Sequence, residues 1–260
     1  MIESSSPTDV GSQGWRRILA PAGRFFFKFR NLLFPLGFFT LVLTSEPGIF
    51  LDDERLDRAL DLLGVGVALS GQLLRGAVIG LAYIRRGGRN KQIFAHYLVT
   101  EGLFAHSRNP LYLGNFLALA GLCLIHNSAL CYLVGIPFFA LAYLAIVEAE
   151  EEYLIRKFGP EYETYRRRVP RFLLSLRGLG TTIRSMKFDW KRLVRKEYGS
   201  TFAGASSILG LLVWDEYVRH GSPGVKSLLP GVLSFWLLLA CAYLVARYLK
   251  KTGALGEGVD

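Results

Sequence analysis

The chain has 260 residues, is 51% hydrophobic with a mean hydropathy of +0.30, and carries a formal charge of +10. Its apolar runs exclude an ordinary soluble domain, because about 20 helical residues are enough to cross a hydrocarbon core of roughly 30 Å. The Lys and Arg residues fall between those runs, which argues against a nucleic-acid partner, and Cys123, Cys131 and Cys241 lie inside them, which argues against a disulfide framework. The expected class is all-α: a polytopic integral membrane protein with about six transmembrane helices, since backbone in lipid has to satisfy its own hydrogen bonds.

Residues 1–13 read as a polar, disordered start without the apolar core of a cleavable signal peptide. From Trp15 to Arg30, arginines and a lysine alternate with Phe25, Phe26, Phe27 and Phe29, the composition of an interfacial lead-in. A first span is expected over about 31–50 and a second over about 60–84, joined by an acidic loop at Asp52, Asp53, Glu54 and Asp57. Arg85, Arg86, Arg89 and Lys91 form a basic loop, and 92–109 is too polar to span, so it reads as an interfacial helix or loop. Asn109 and Pro110 suit the N-cap and first position of a third span to about Ile125. A tight turn at His126, Asn127 and Ser128 leads to a fourth span over about 129–147, so these two are expected as an antiparallel pair. A basic stretch then precedes a fifth span, about 201–218, and a sixth, about 228–249.

Basic segments fall before the first span, between the second and third, between the fourth and fifth, and after the sixth. The positive-inside rule then puts both termini in the cytoplasm, with segments 96–110 and 148–170 on that same face. The expected organisation is an N-terminal segment (1–30), a four-span core (31–175), and a basic linker with two further spans (176–260).

Three features carry candidate chemistry. Arg108, Asn109, Pro110, Tyr112 and Gly114 mark the N-terminal end of a membrane helix, where free amides, the helix dipole and a guanidinium favour an anion; the alternative is a cap with a snorkelling arginine and a packing glycine. Glu148, Glu150, Glu151 and Glu152 follow the fourth span directly, against the dipole; the alternative is a solvated extension paired with nearby arginines. Arg75, with Gln72 one turn before it, sits inside a span, where an ionisable group suggests function; the alternative is that it snorkels or binds the carbonyls of another helix. His96 and His106 have no partners at metal-ligand spacing, so no metal site is expected, and His126 and His220 read as loop residues.

The stretch His96, Leu98-Val99-Thr100, Gly102, Phe104, Arg108, Pro110, Tyr112, Gly114, followed by Glu150, Glu151, Leu154, Phe158-Gly159, Tyr162, Tyr165 and Arg168-Val169-Pro170, resembles the isoprenylcysteine carboxyl methyltransferase and phospholipid N-methyltransferase group of membrane enzymes. The likeness covers roughly residues 70–172. It departs at Asn109, where the group usually has His, and at Leu174, near a usual Pro. The resemblance implies S-adenosyl-L-methionine as cofactor, bound on the cytoplasmic side, and an acceptor entering from the lipid bilayer. It implies that His96, the Leu98 backbone, Gly102, Phe104, Arg108, Tyr112, Glu150 and Glu151 line the cofactor pocket, and that Tyr165 and Arg168 close it or face the acceptor.

The expected function is thus methyl transfer to a lipid or lipid-linked acceptor, a prenylcysteine-type carboxylate or a phospholipid amine. Arg108, Glu151 and Arg168 are the candidate catalytic residues, and Arg75, Tyr165 and Arg168 lie on the substrate side. Aromatic faces can hold a sulfonium, guanidinium and amides a carboxylate, and glutamates an amine or ribose. The rivals are an NADPH-dependent sterol-reductase-like enzyme and a non-catalytic lipid-binding scaffold. The last two spans offer Gly204, Ser206 and Gly210 as small residues for a homo-oligomer interface.

Overall fold

The computed structural model describes residues 7–81, 86–89 and 92–256. The polar start at 1–6, the last residues of the second expected span, and Arg85 and Lys91 of the basic loop lie outside the described residues. The architecture is α-helical: α1 (Pro7–Thr44), α2 (Glu54–Leu81), α3 (Pro110–His126), α4 (Ile136–Phe158, led in by a π-helical turn at Cys131–Gly135), α5 (Pro160–Arg168), α6 (Leu179–Ser185) and α7 (Trp190–Lys251). Among the described residues, four helices are long and apolar enough to cross a membrane: Leu19–Thr44, Glu54–Leu81, Cys131–Phe158 and Trp190–Lys251. Apolar α3 is shorter, at 17 residues. The chain is an integral membrane protein.

α7 is not one rod. Gly221, at φ 63° and ψ −154°, takes a conformation essentially reserved for glycine, and the chain reverses there. Its two arms lie antiparallel: Trp236 Nε1 donates to Ser206 Oγ (3.0 Å), and the Phe202 and Tyr243 rings meet in a tilted contact with centroids 4.8 Å apart. These arms contain the stretches expected as the fifth and sixth spans. Ser206 is used inside this hairpin, whereas a side chain at Gly204 or Gly210 would meet nothing among the described residues.

Several expectations need correction. The first span does not begin near residue 31; one helix runs from Pro7, and its apolar part begins at Leu19. The stretch expected as a lead-in therefore buries Ala20 and Phe27. Residues 92–95 are neither helix nor loop but pair with 86–89 in a two-stranded antiparallel ribbon, Arg86 opposite Ala95 and Arg89 opposite Gln92. The fourth helix does not stop before the acidic run; it continues to Phe158 and carries Glu148, Glu150 and Glu151 inside the molecule. The last-turn dipole argument therefore falls on Arg156 and Lys157, whose sign suits it.

Packing follows side-chain size. α2 meets α3 along glycines: a Cβ on Gly71 would strike the Gly114 carbonyl and Ala118, and one on Gly121 would strike Ala68 and the Gly64 carbonyl. Small residues let membrane helices approach backbone to backbone. α1 packs along α4 through aromatics, with Phe34 between Phe139 (5.5 Å) and Tyr143 (4.8 Å). The closest partners are thus α2 with α3 and α1 with α4, while α3 and α4 touch more sparingly.

Charged pairs fix α7 to this frame. Arg75 of α2 bonds Glu197 (Nη2 to Oε1 2.8 Å, Nε to Oε2 3.0 Å) and also Asn115. Gln72 donates to Glu197 and Thr201. At the opposite end, Arg219 contacts Asp57, Asp61 and Asp215. Asp57 is fully buried and also accepts from Phe50 N and Asn127 Nδ2 (3.0 and 2.9 Å). Removing one partner of a buried ion cluster leaves uncompensated charge. Arg219→Met is accordingly expected to destabilise the fold by about 3–5 kcal/mol, read as a lowered thermal unfolding midpoint in detergent.

Candidate functional site

The polar end of the molecule is assembled by two chain segments far apart in sequence. The lead into α3, His106–Asn109, is laced to the irregular segment after α5. Arg108 N–H donates to the Pro170 carbonyl (2.9 Å), Ser107 Oγ to the Phe172 carbonyl (2.9 Å), Asn109 Nδ2 to the Arg171 carbonyl (3.1 Å), and Ser175 N–H to the His106 carbonyl (2.9 Å). His106 adds ring contacts to the Ser175 carbonyl (2.8 Å) and to Thr182 Oγ1 (2.9 Å). Asn109 occupies the N-cap position, but its side chain holds Arg171 rather than a helix amide.

This lacing puts Arg108 beside α4. Its Nη1 lies 3.1 Å from Glu151 Oε1. Glu151, 3% exposed, also accepts from Arg171 through Nε (3.2 Å) and Nη2 (2.9 Å), and Arg171 reaches Glu148 as well. Glu148 and Glu151 stand three residues apart on one helical face, which is why a single guanidinium serves both. Burial works against the charge on Arg171, but Glu151 and Glu148 outweigh it and hold its pKa above the ordinary value. Glu150, on a neighbouring face, accepts from Tyr112 Oη (2.6 Å), which in turn accepts from Arg30 Nη1 (3.1 Å). Glu152 points outward to Arg24 (3.1 Å).

The aromatic wall is tied to the same segments. Tyr165 Oη donates to the Phe104 carbonyl (2.7 Å), and both rings are buried. Gly102 opens the 3₁₀ turn that presents Phe104, at φ 63°. Leu98 packs with Leu154, Tyr162, Tyr165 and Val169, and Lys157 donates to the Ala95 carbonyl beneath the ribbon.

The structure therefore brings together Arg108, Tyr112, Glu150 and Glu151, with Gly102, Phe104, Leu98 and Tyr165 close by through direct bonds or packing. It does not bring in the rest. His96 is exposed, with its ring against Phe94. Arg168 is exposed in the last turn of α5. Arg75 is engaged with Glu197 across the α2–α7 contact. Arg171 and Glu148 are the additions. The sequence signal for them was a helical spacing of carboxylates with a basic residue after Pro170, weak among so many arginines. His126 is not a loop residue but the buried end of α3, with Nε2 2.9 Å from Ser45 Oγ.

Among the described residues, Asp57, Asp61 and Asp215 are grouped closely enough to share a metal, with ligand atoms within 4.8 Å. Arg219 lies among them and supplies the positive charge, so the group works as an ion-pair hub.

Residues 63–161 match the model of the phospholipid methyltransferase family. The chain is 36% identical over 116 residues to the protein-S-isoprenylcysteine O-methyltransferase of Schizosaccharomyces pombe, covering 43% of this chain and 46% of that protein. It is 33% identical over 124 residues to the nickel-cobalt-cadmium resistance protein NccN of Alcaligenes xylosoxydans xylosoxydans, covering 46% and 53%. It is 30% identical over 139 residues to the protein-S-isoprenylcysteine O-methyltransferase of Xenopus laevis, covering 52% and 48%. The chain spans about half the length of the curated relatives it matches. No solved structure matches it significantly.

Glu151→Ala removes the buried carboxylate that Arg108 and Arg171 share and is expected to cost about 3–5 kcal/mol. Arg168→Ala, on an exposed face, is expected to stay within about 0.5 kcal/mol of the native stability. Thermal unfolding of both variants in the same detergent checks the contrast.

Proposed function

From the match of residues 63–161 to the phospholipid methyltransferase family, we propose that the chain is an S-adenosylmethionine-dependent membrane methyltransferase acting on a lipid-linked acceptor. The observation that carries this reading is the buried set Arg108, Tyr112, Glu150 and Glu151 at one end of α3 and α4, inside or close to the matched region.

The residues present fit the cofactor's chemistry. Arg108, at the N-terminal end of α3, is a donor for its carboxylate. Glu150 and Glu151 are acceptors for amine and ribose. The rings of Tyr112 and Phe104 are apolar faces beside them. When bound, S-adenosylmethionine supplies an electrophilic methyl group on a sulfonium sulfur. The protein's own work is positioning and exclusion of water, and burial of the cluster supplies the second.

One feature favours a carboxylate acceptor of the prenylcysteine type over an amine. An amine has to lose a proton before or during transfer, and Glu151 is the candidate base. Both oxygens of Glu151 are engaged by guanidiniums, Oε1 by Arg108 and Arg171 and Oε2 by Arg171. A carboxylate acceptor needs no base. This reading puts the site on the cytoplasmic face with both termini on that side, and the placement of the basic segments supports it.

The test is transfer of labelled methyl from S-adenosylmethionine in membranes carrying the chain. A farnesylated cysteine carboxylate and phosphatidylethanolamine are offered in parallel. The expected result is labelling of the first, lowered at least about tenfold by Arg108→Ala and by Glu151→Gln, a loss of about 1.4 kcal/mol or more. Labelling of the phospholipid alone would remove the carboxylate reading, and no labelling of either would remove the acceptor class.

A further inference from the structure

Among the described residues, four arginines hold buried carboxylates, and they differ in accessibility. The side chain of Arg171 is 29% exposed, against 19% for Arg75, 10% for Arg108 and 7% for Arg219. Arg171 is also in part redundant as a counter-charge, because Glu151 already has Arg108. It follows directly on Pro170, the last motif residue on which the family resemblance rests.

Its backbone cannot move easily. The Arg171 carbonyl accepts from Asn109 Nδ2, and its neighbours Pro170 and Phe172 are bonded to Arg108 and Ser107. The side chain, by contrast, is held among the described residues only by its contacts with Glu148 and Glu151 and keeps a solvent-facing side. A guanidinium lying across two carboxylates presents to them what an ammonium group presents: positive charge and several N–H donors.

Building on the methyl-donor reading, we propose that Arg171 is a built-in competitor for the donor's amino-acid end. Its guanidinium holds, between Glu148 and Glu151, the place that the donor's ammonium group takes on binding, and it swings outward when the donor enters. Arg171 thereby sets the affinity for the donor without touching the reacting atoms. Glu148 and Glu151 keep a positive partner in both states, so the buried carboxylates are never left bare. The exchange involves one side chain and leaves the His106–Asn109 lacing intact.

The experiment is calorimetric titration of the full chain in detergent with S-adenosylmethionine, S-adenosylhomocysteine and 5′-methylthioadenosine. The first two carry the ammonium group and the third lacks the amino-acid end. Arg171→Gln is expected to tighten the first two by roughly tenfold, the size of one charge-assisted hydrogen bond. Methylthioadenosine is expected to stay within about twofold, since it makes no call on either glutamate. Arg171→Lys, which keeps the charge but loses the fork, is expected to fall between the native chain and Arg171→Gln.

Unchanged or weaker donor binding in Arg171→Gln, with the native chain binding normally, overturns the competitor role and makes Arg171 a support for the pocket. An equal shift for all three probes also overturns it. If Arg171→Gln does not unfold cooperatively, Arg171→Lys decides alone: selective tightening of the amino-acid-bearing probes supports the proposal, and parallel weakening removes it. Binding by neither the native chain nor any variant removes the donor reading itself, and this inference with it.

Discussion

A carboxylate buried in an apolar frame needs a positive partner, and this requirement organises the protein. Glu151 of α4 is satisfied by Arg108, at the start of α3, and by Arg171, which follows α5. Those two arginines come from segments far apart in the chain that are laced together by hydrogen bonds to backbone carbonyls. The ion pairs therefore determine where α3 begins relative to α4 and where the chain after α5 has to return. Without them the acidic face of α4 could not be inside the molecule. The energetic scale supports this order of cause: a broken buried pair costs several kcal/mol, while a surface pair such as Arg24–Glu152 contributes less than about 1 kcal/mol.

The same rule applies to the C-terminal hairpin. The first arm of α7 is held to α2 by Arg75–Glu197 toward one end and by Arg219 with Asp57 and Asp61 toward the other. In lipid, apolar side chains gain little by leaving the bilayer for a protein surface, so polar contacts and close packing decide which helices associate. The second arm shows the contrast, facing outward with Leu233, Phe235, Leu237, Leu238 and Leu244 exposed. Glycine contacts hold α2 to α3 and aromatic contacts hold α1 to α4, and the charged contacts join these pairs to one another and to α7.

The helices were legible in the sequence because each writes its apolar length directly, and the turns at Asn127 and around Gly221 fall between the expected spans. The grouping of Arg108, Tyr112, Glu150 and Glu151 was legible through their spacing in the resemblance. What hydropathy could not give was how far a helix continues once it turns polar. α4 extends through the glutamates because their partners arrive from elsewhere in the chain, and such partners leave no local trace. Arg171 was hidden for that reason, one basic residue among many. Arg75 was visible as a charge within a span, but its partner Glu197 lies 122 residues away in a stretch with no pattern to read. The ribbon at 86–95 contains glycines and arginines that carry little strand signal, and pairing rather than propensity makes it a strand.

The central claim is that the Arg108–Glu151 end of the protein is a binding site for S-adenosylmethionine. The most direct test is calorimetry on the purified full chain in detergent, with S-adenosylmethionine and NADPH titrated separately. The account predicts saturable binding of S-adenosylmethionine with one site per chain and no measurable heat from NADPH. Saturable binding of NADPH with none of S-adenosylmethionine would contradict it, as would the absence of binding by either.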